Sequence, residues 1–375
     1  MKIGFDAKRL YNNFTGLGNY SRTLLAQLVL NFPEHEYYLY ASTPRPQGRT
    51  EAFFDETAYR LRFSTTKPKA WWRSYGITKS IAKDQIDIFH GLSGELPFFG
   101  KIRPKTIVTI HDLIFKHYPE QYGPINSAIY DAKAKHACKQ ADRVLAISES
   151  TKRDIVELYK IPEEKVTVIY QGCDDSFYQQ HSAEKIVATQ QRHQLPSEYL
   201  LYVGSIIERK KLLELVKAYE FIPESKKLPL VVLGNGGKYL KHVKQYIVER
   251  QAIRKWIHFK PKMPFVDFPA IYQGATAFIY PSIYEGFGIP IVEALASKTP
   301  VISSSKSALM EAGGPHSIYV DEVNGRSLAQ AIELVIDDEG LKAKMREKGL
   351  EHIQQFEKNG LTRQLVNVYS ALLGE

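Results

Sequence analysis

One string concentrates the chemistry of this sequence: YPSIYEGFGIPIVEALASKTPVISS, residues 280–304. Its apolar start reads as a strand ending at Tyr280. A loop carrying Glu285, Gly286, Phe287 and Gly288 follows, and a helix begins near Pro290, a residue suited to a first helical turn. Glycines let backbone N–H groups come close to a ligand, and a helix start offers unpaired donors with a dipole that favours phosphate. Glu293, on the first turns of that helix, can accept the paired hydroxyls of a ribose, and Glu285 can reach hydroxyls on a second ring. Upstream, LLYVGSIIERKKLLELVKAY, residues 200–219, runs a strand into Gly204 and sets Arg209, Lys210 and Lys211 before a helix. Cations at a strand end suit a diphosphate, whose negative charge they offset. Arg brings a planar fork for phosphate oxygens and Lys a compact point charge.

Together these strings resemble the motifs of retaining nucleotide-sugar glycosyltransferases of family 4, mannosyltransferase-like enzymes of the GT-B fold. Glu285 and Glu293 match the family's two glutamates with seven residues between them. The resemblance implies that Glu285 contacts the donor sugar and Glu293 the ribose. Arg209 and Lys210 match its Arg-Lys pair; Lys211 departs from the Asn or Gly that commonly follows. Gly16 and Gly18, in NNFTGLGNYSRTLL, resemble the family's flexible glycine loop between the first strand and first helix. His111, in TIVTIHDLIF, is similar to the family's His beside the reacting sugar. Ser148, in AISESTKRDI, reads first as a helix N-cap and second as a ligand. Glu311, in SSSKSALMEAGG, occupies the place of the Glu that ends the family's Ser-rich loop. The motifs come in the family's order over about residues 1–350.

These residues need elements to hold them. Short apolar runs alternate with amphipathic segments, beginning with a strand at Lys2–Phe5 and a helix from about Asn19 to Leu30. Further strands read at 36–40, 86–89, 106–110 and 144–147, and again at 200–205, 228–234, 256–259, 275–280 and 300–304. Such alternation marks doubly wound α/β domains with mostly parallel sheets. The polar stretch between Phe177 and Ser197 reads as a linker. The expected division is therefore a Rossmann-like acceptor-side domain over 1–190 and a donor-side domain over 191–355, facing each other across a cleft. A last helix, 356–375, is expected to pack back on the first domain. Ligands in such sheets sit beyond the carboxyl ends of strands, which is where the strings above lie.

Composition narrows the function classes. With 44% hydrophobic and 24% charged residues, the chain is globular rather than disordered. A net charge of +9 suggests a polyanion, but the excess is split evenly, +5 before residue 190 and +4 after, without a basic tail. Two cysteines fit a reducing compartment, and no apolar run approaches the roughly 18–20 residues of a membrane span, so a cytoplasmic protein is expected. The phosphate loop of simple ATPases, a complete Gly-x-Gly-x-x-Gly, His-Glu-x-x-His and Asp-x-Asp are all missing, and neither metal nor cofactor is indicated. Between Arg60 and Lys83, seven basic residues (Arg60, Arg62, Lys67, Lys69, Arg73, Lys79 and Lys83) occur with Trp71, Trp72 and Tyr75 and no acid between them. This stretch is either a helix with Trp packed on the sheet or a contact for an anionic membrane. The expected reaction moves a sugar, first GDP-mannose and second a UDP-sugar, to a saccharide or lipid-linked acceptor in cell-surface polysaccharide synthesis. A GT-B epimerase or phosphorylase, a non-catalytic homologue and a nucleic-acid-binding protein are the alternatives; no recognition module supports the last.

Overall fold

The computed structural model describes residues 1–66, 68, 71–98, 104–260 and 262–374. The chain forms two compact units, Met1–Gln171 with Glu357–Glu375, and Gly172–Phe356. In the first, β1 (Lys2–Asp6), β2 (Glu36–Ser42), β3 (Arg60–Ser64), β4 (Ile88–Gly91), β5 (Lys105–Ile110), β6 (Arg143–Ala146) and β7 (Val166–Val168) form one parallel sheet ordered β3-β2-β1-β4-β5-β6-β7. In the second, β8 (Leu200–Val203), β9 (Leu230–Leu233), β10 (Ile257–Lys260), β11 (Ala277–Tyr280), β12 (Val301–Ser304) and β13 (Ile318–Val320) are ordered β10-β9-β8-β11-β12-β13, also parallel. Each order reverses once, between β1 and β4 and between β8 and β11, and loops leaving those strands diverge to leave a crevice.

The strands are legible because helices cover both faces of each sheet. β4, β9, β11 and β12 are buried at every position, as apolar runs in parallel sheets must be. Alternate side chains enter separate cores. Ile3, Phe5, Tyr37 and Leu39 join Leu25 and Leu28 on one side of the first sheet; Tyr38, Tyr40 and Val108 join Trp72, Ile77 and Ile81 on the other. The closing helix, Lys358–Leu373, inserts Leu365, Val366 and Tyr369 into the former cluster. β3, β7 and β13 escape the sequence reading; β7 and β13 have only three residues each, and β3 carries alternating arginines.

The expected linker is corrected by the structure. The units divide at Gln171–Gly172, and the polar stretch contains the helix Ala183–Arg192, which belongs to the second unit. Its polar residues are used in packing. Ser182 caps the helix, Thr189 and Gln190 are buried, and Arg192 and His193 reach Asp267 at 3.1 and 2.8 Å. No helix among the described residues is long and apolar enough to cross a membrane.

Candidate functional site

In the second unit the loops leaving β8 and β11 meet at the switch point. After β8 the chain passes Gly204 and makes a short turn, Glu208–Lys210, before the helix Leu212–Ala218. After β11 it runs through Ser282, Glu285 and Gly286 to the helix Ile289–Ala296, which Pro290 opens. Gly288 stands before that helix with φ +124°, a conformation that a side chain would strain. The backbone N–H of Ile283 donates to Arg209 O at 3.0 Å, so the loops are bonded directly.

Glu285 Oε1 is gripped from four directions. Arg209 Nη1 lies 2.8 Å and Lys210 Nζ 3.4 Å away, and Ser282 Oγ and Tyr280 Oη donate to it at 2.8 and 3.0 Å. The second oxygen, Oε2, has no hydrogen-bond partner among the described residues and remains available to a ligand hydroxyl. Burial alone would raise the Glu285 pKa, but Lys210 and Arg209, with hydrogen bonds from Arg209 and Ser282, hold it below the usual value. Lys210 also donates to Tyr280 Oη and lies 4.8 Å from the centre of that ring. Gly204 leaves the space that Lys210 occupies: a side chain there would begin 3.3 Å from Nζ. Arg209 is 6% exposed, and its Nη1 also donates to Ser282 Oγ and to the carbonyl of Tyr284. Arg209 therefore fastens the glutamate loop as well as supplying charge.

The end of β12 and the loop after it clip the same structure from behind. Ser303 and Ser304 donate to the carbonyls of Tyr280 and Ser282, and Ser307 Oγ donates to Glu285 O at 2.6 Å while accepting from Glu285 N at 3.3 Å. Sequence reasoning found the Ser-rich string but missed the part played by Ser282, Ser307 and Tyr280. Their signal is position: each lies at or just beyond the carboxyl end of β11 or β12. Glu311, expected to act with this loop, lies on the short helix Leu309–Gly313, where its carbonyl accepts from His352 Nε2. Phe287 is 2% exposed and packs edge to face on Phe356.

Glu293 is held differently. Tyr272 Oη donates to its Oε2 at 3.2 Å, and burial, aided by the charge of Asp174, pushes its pKa up to about 8 despite that bond and Lys210. Near neutral pH it keeps its proton, so it can donate as well as accept toward paired hydroxyls.

In the first unit, Gly16 and Gly18 do not form the expected loop but begin the helix Gly16–Asn31. The reason is local. Asn13 Oδ1 accepts from the backbone N–H groups of Thr15 and Gly18, and Arg22 Nη1 donates to the carbonyls of Leu10 and Asn13. A Cβ on Gly18 would stand 1.8 Å from Asn13 O, so glycine is required by close approach. His111 follows β5. Its Nε2 lies 2.9 Å from Leu92 O, which only accepts, so Nε2 carries the proton; Nδ1 then accepts from Gln171 at 3.0 Å. Burial lowers its pKa to about 4 and keeps the ring neutral. Ser148 is buried and caps the helix Glu149–Tyr159, accepting from Thr151 N.

The basic stretch from Arg60 to Lys83 is largely spoken for. Arg62 Nε contacts Asp84 at 2.8 Å, and Arg73 Nη2 contacts Asp6 and Glu95 at 2.5 and 2.8 Å. Trp72 is buried, whereas Trp71 and Tyr75 are 53% and 38% exposed. Lys67 and Lys69 lie outside the described residues.

Over residues 14–177 the chain matches the family model described as Glycosyltransferase Family 4, and over 185–352 the model described as Glycosyl transferases group 1. It is 26% identical to O-antigen chain mannosyltransferase B of Escherichia coli, over 99% of this chain and 100% of that one. Among solved structures it is similar to a glycosyltransferase from Rickettsia africae, with a TM-score of 0.76 and 20% identity, covering 99% of this chain and 98% of the other. It is also similar to Anabaena HepE in complex with UDP-glucose, with a TM-score of 0.76 and 17% identity, covering 99% and 100%.

Proposed function

Because the chain belongs to the group 1 glycosyltransferases of family 4, with their GT-B fold, we propose that it moves a hexose from a nucleotide-sugar to a saccharide or lipid-linked hydroxyl, retaining anomeric configuration. The observation that carries this reading is the Glu285 carboxylate, with one oxygen locked by Arg209, Lys210, Tyr280 and Ser282 and the other free. The free oxygen would take a hydroxyl of the donor sugar, while Lys210, Arg209 and the backbone amides near Gly286 and Gly288 would stabilise the leaving diphosphate. Glu293 would bind the ribose. The first unit takes the acceptor and the second the donor. GDP-mannose is the donor this reading favours, since the full-length relative is named a mannosyltransferase of O-antigen chains. A UDP-sugar is the second choice, supported by the UDP-glucose complex of HepE.

No carboxylate nucleophile stands in these motifs. His111, neutral and with both ring nitrogens engaged, makes a poor general base. In this reading departure and attack take place on one face of the sugar, a donor phosphate oxygen takes the acceptor proton, and no metal or further cofactor takes part. NMR of the product tests this: a retained anomeric centre is expected, and an inverted one rejects the mechanism. Peripheral attachment at the cytoplasmic face of an anionic membrane, through exposed Trp71 and Tyr75, belongs to the same reading. Co-sedimentation with anionic liposomes is expected, and absence of binding at low salt rejects it.

A further inference from the structure

Four polar side chains of the first unit form a chain that the reaction above does not use. The Tyr369 hydroxyl, on the closing helix, lies 2.7 Å from His90 Nδ1; His90 Nε2 lies 2.8 Å from Thr109 Oγ1; and Thr109 Oγ1 lies 3.3 Å from Tyr20 Oη. Tyr369, His90 and Thr109 are at most 1% exposed, so their protons must be accounted for within the chain. Tyr20 is half-buried, and its ring meets that of His111 edge to face, with centroids 4.7 Å apart.

Counting protons gives the chain a direction. Each hydroxyl carries one, and burial keeps His90 neutral, so one ring nitrogen donates and the other accepts. Were Nδ1 the donor, Tyr369 would accept, and its own buried proton would find no acceptor among the described residues. The opposite order leaves no fully buried proton without an acceptor among the described residues. Tyr369 donates to Nδ1, Nε2 donates to Thr109, and Thr109 donates to Tyr20 Oη. Tyr20 is then fixed by the bond it accepts, and its own proton is unspent at the partly exposed end, with no acceptor among the described residues.

We propose that Tyr20 donates this hydrogen bond to an oxygen of a bound substrate beside His111, and that Thr109, His90 and Tyr369 are positioning residues that aim it. The ligand chemistry is an oxygen acceptor, a hydroxyl of the acceptor saccharide that the proposed function assigns to the first unit. The identity of that oxygen rests on the transferase reading; the direction of the chain does not.

Two measurements decide it. Ring-nitrogen NMR of the wild-type protein reads the chain without any turnover: His90 protonated at Nε2 and bare at Nδ1 is expected, and the reverse tautomer overturns the proposal. Kinetics read the use of the chain. Tyr20→Phe should lower kcat/KM about tenfold or more, the size of one hydrogen bond to substrate, and unchanged kcat/KM overturns the proposal. A raised KM for the saccharide with unchanged binding of nucleoside diphosphate is expected, and a loss of nucleoside diphosphate binding alone overturns the assignment to the acceptor. Thr109→Val should approach the Tyr20→Phe rate, Thr109→Ser should restore it, and the double variant Tyr20→Phe/Thr109→Val should be no slower than Tyr20→Phe. Losses that multiply instead would show that Thr109 acts on the fold and would overturn its positioning role. A wild-type protein with the expected tautomer that transfers no sugar would reject the transferase reading, a failure the NMR result separates from that of the chain.

Discussion

Glu285 and Glu293 belong to one strand-loop-helix unit, yet one is ionised and the other neutral. Two cations and two hydroxyls hold Glu285 ionised; Glu293, hydrogen-bonded among the described residues by the Tyr272 hydroxyl alone, keeps its proton to about pH 8. An unfolded glutamate gives up its proton near 4.5, so the folded state binds the extra proton between these values and loses stability as pH rises through that window. Glu293→Gln has no proton to lose there. The melting temperature of the ligand-free variant should match the wild type near about pH 5 and exceed it increasingly toward about pH 9. A constant difference across that range would reject the buried neutral carboxyl. The pair of glutamates was legible from spacing. Their charge states were not, because these depend on Arg209 and Lys210, brought from another strand end, and on burial that no local pattern records.

At the scale of elements, the site is a set of strand-end loops bonded to one another. The β8 loop joins the β11 loop through Arg209, and the end of β12 with the loop after it clips it through Ser303, Ser304 and Ser307. The β11 loop and its helix could be read from sequence because Pro290 and the glycines punctuate a strong apolar pattern. Gly16-x-Gly18 could not, since two glycines suggest a loop unless the folding of Asn13 and Arg22 onto the helix start is known. Gly18→Ala puts a methyl group into the Asn13 carbonyl and should cost about 1–3 kcal/mol, as overpacking does. Chemical denaturation checks this. Gly16→Ala, with open space at its Cβ position, should be close to neutral, and an equal loss at both glycines would contradict the packing argument.

Across the whole molecule, two parallel sheets each reverse their strand order once, and the Glu285 site stands at one of those reversals. Alternating apolar and amphipathic segments made the fold class legible. The division at Gln171–Gly172 was not, because a polar helix capped by Ser182 and anchored on Asp267 looks like a linker. The closing helix brings Tyr369 to His90 across most of the chain length, which no local pattern could foretell. In the proposed function Arg209, Lys210 and Glu285 form the diphosphate and sugar end of a nucleotide-sugar site. Calorimetric titration of GDP and UDP into the wild type and Lys210→Ala tests it most directly. Saturable binding of one nucleotide, GDP in the favoured reading, weakened about tenfold or more by the substitution, is the predicted result. Absence of binding by either nucleotide, or equal affinity in the wild type and the variant, would contradict it.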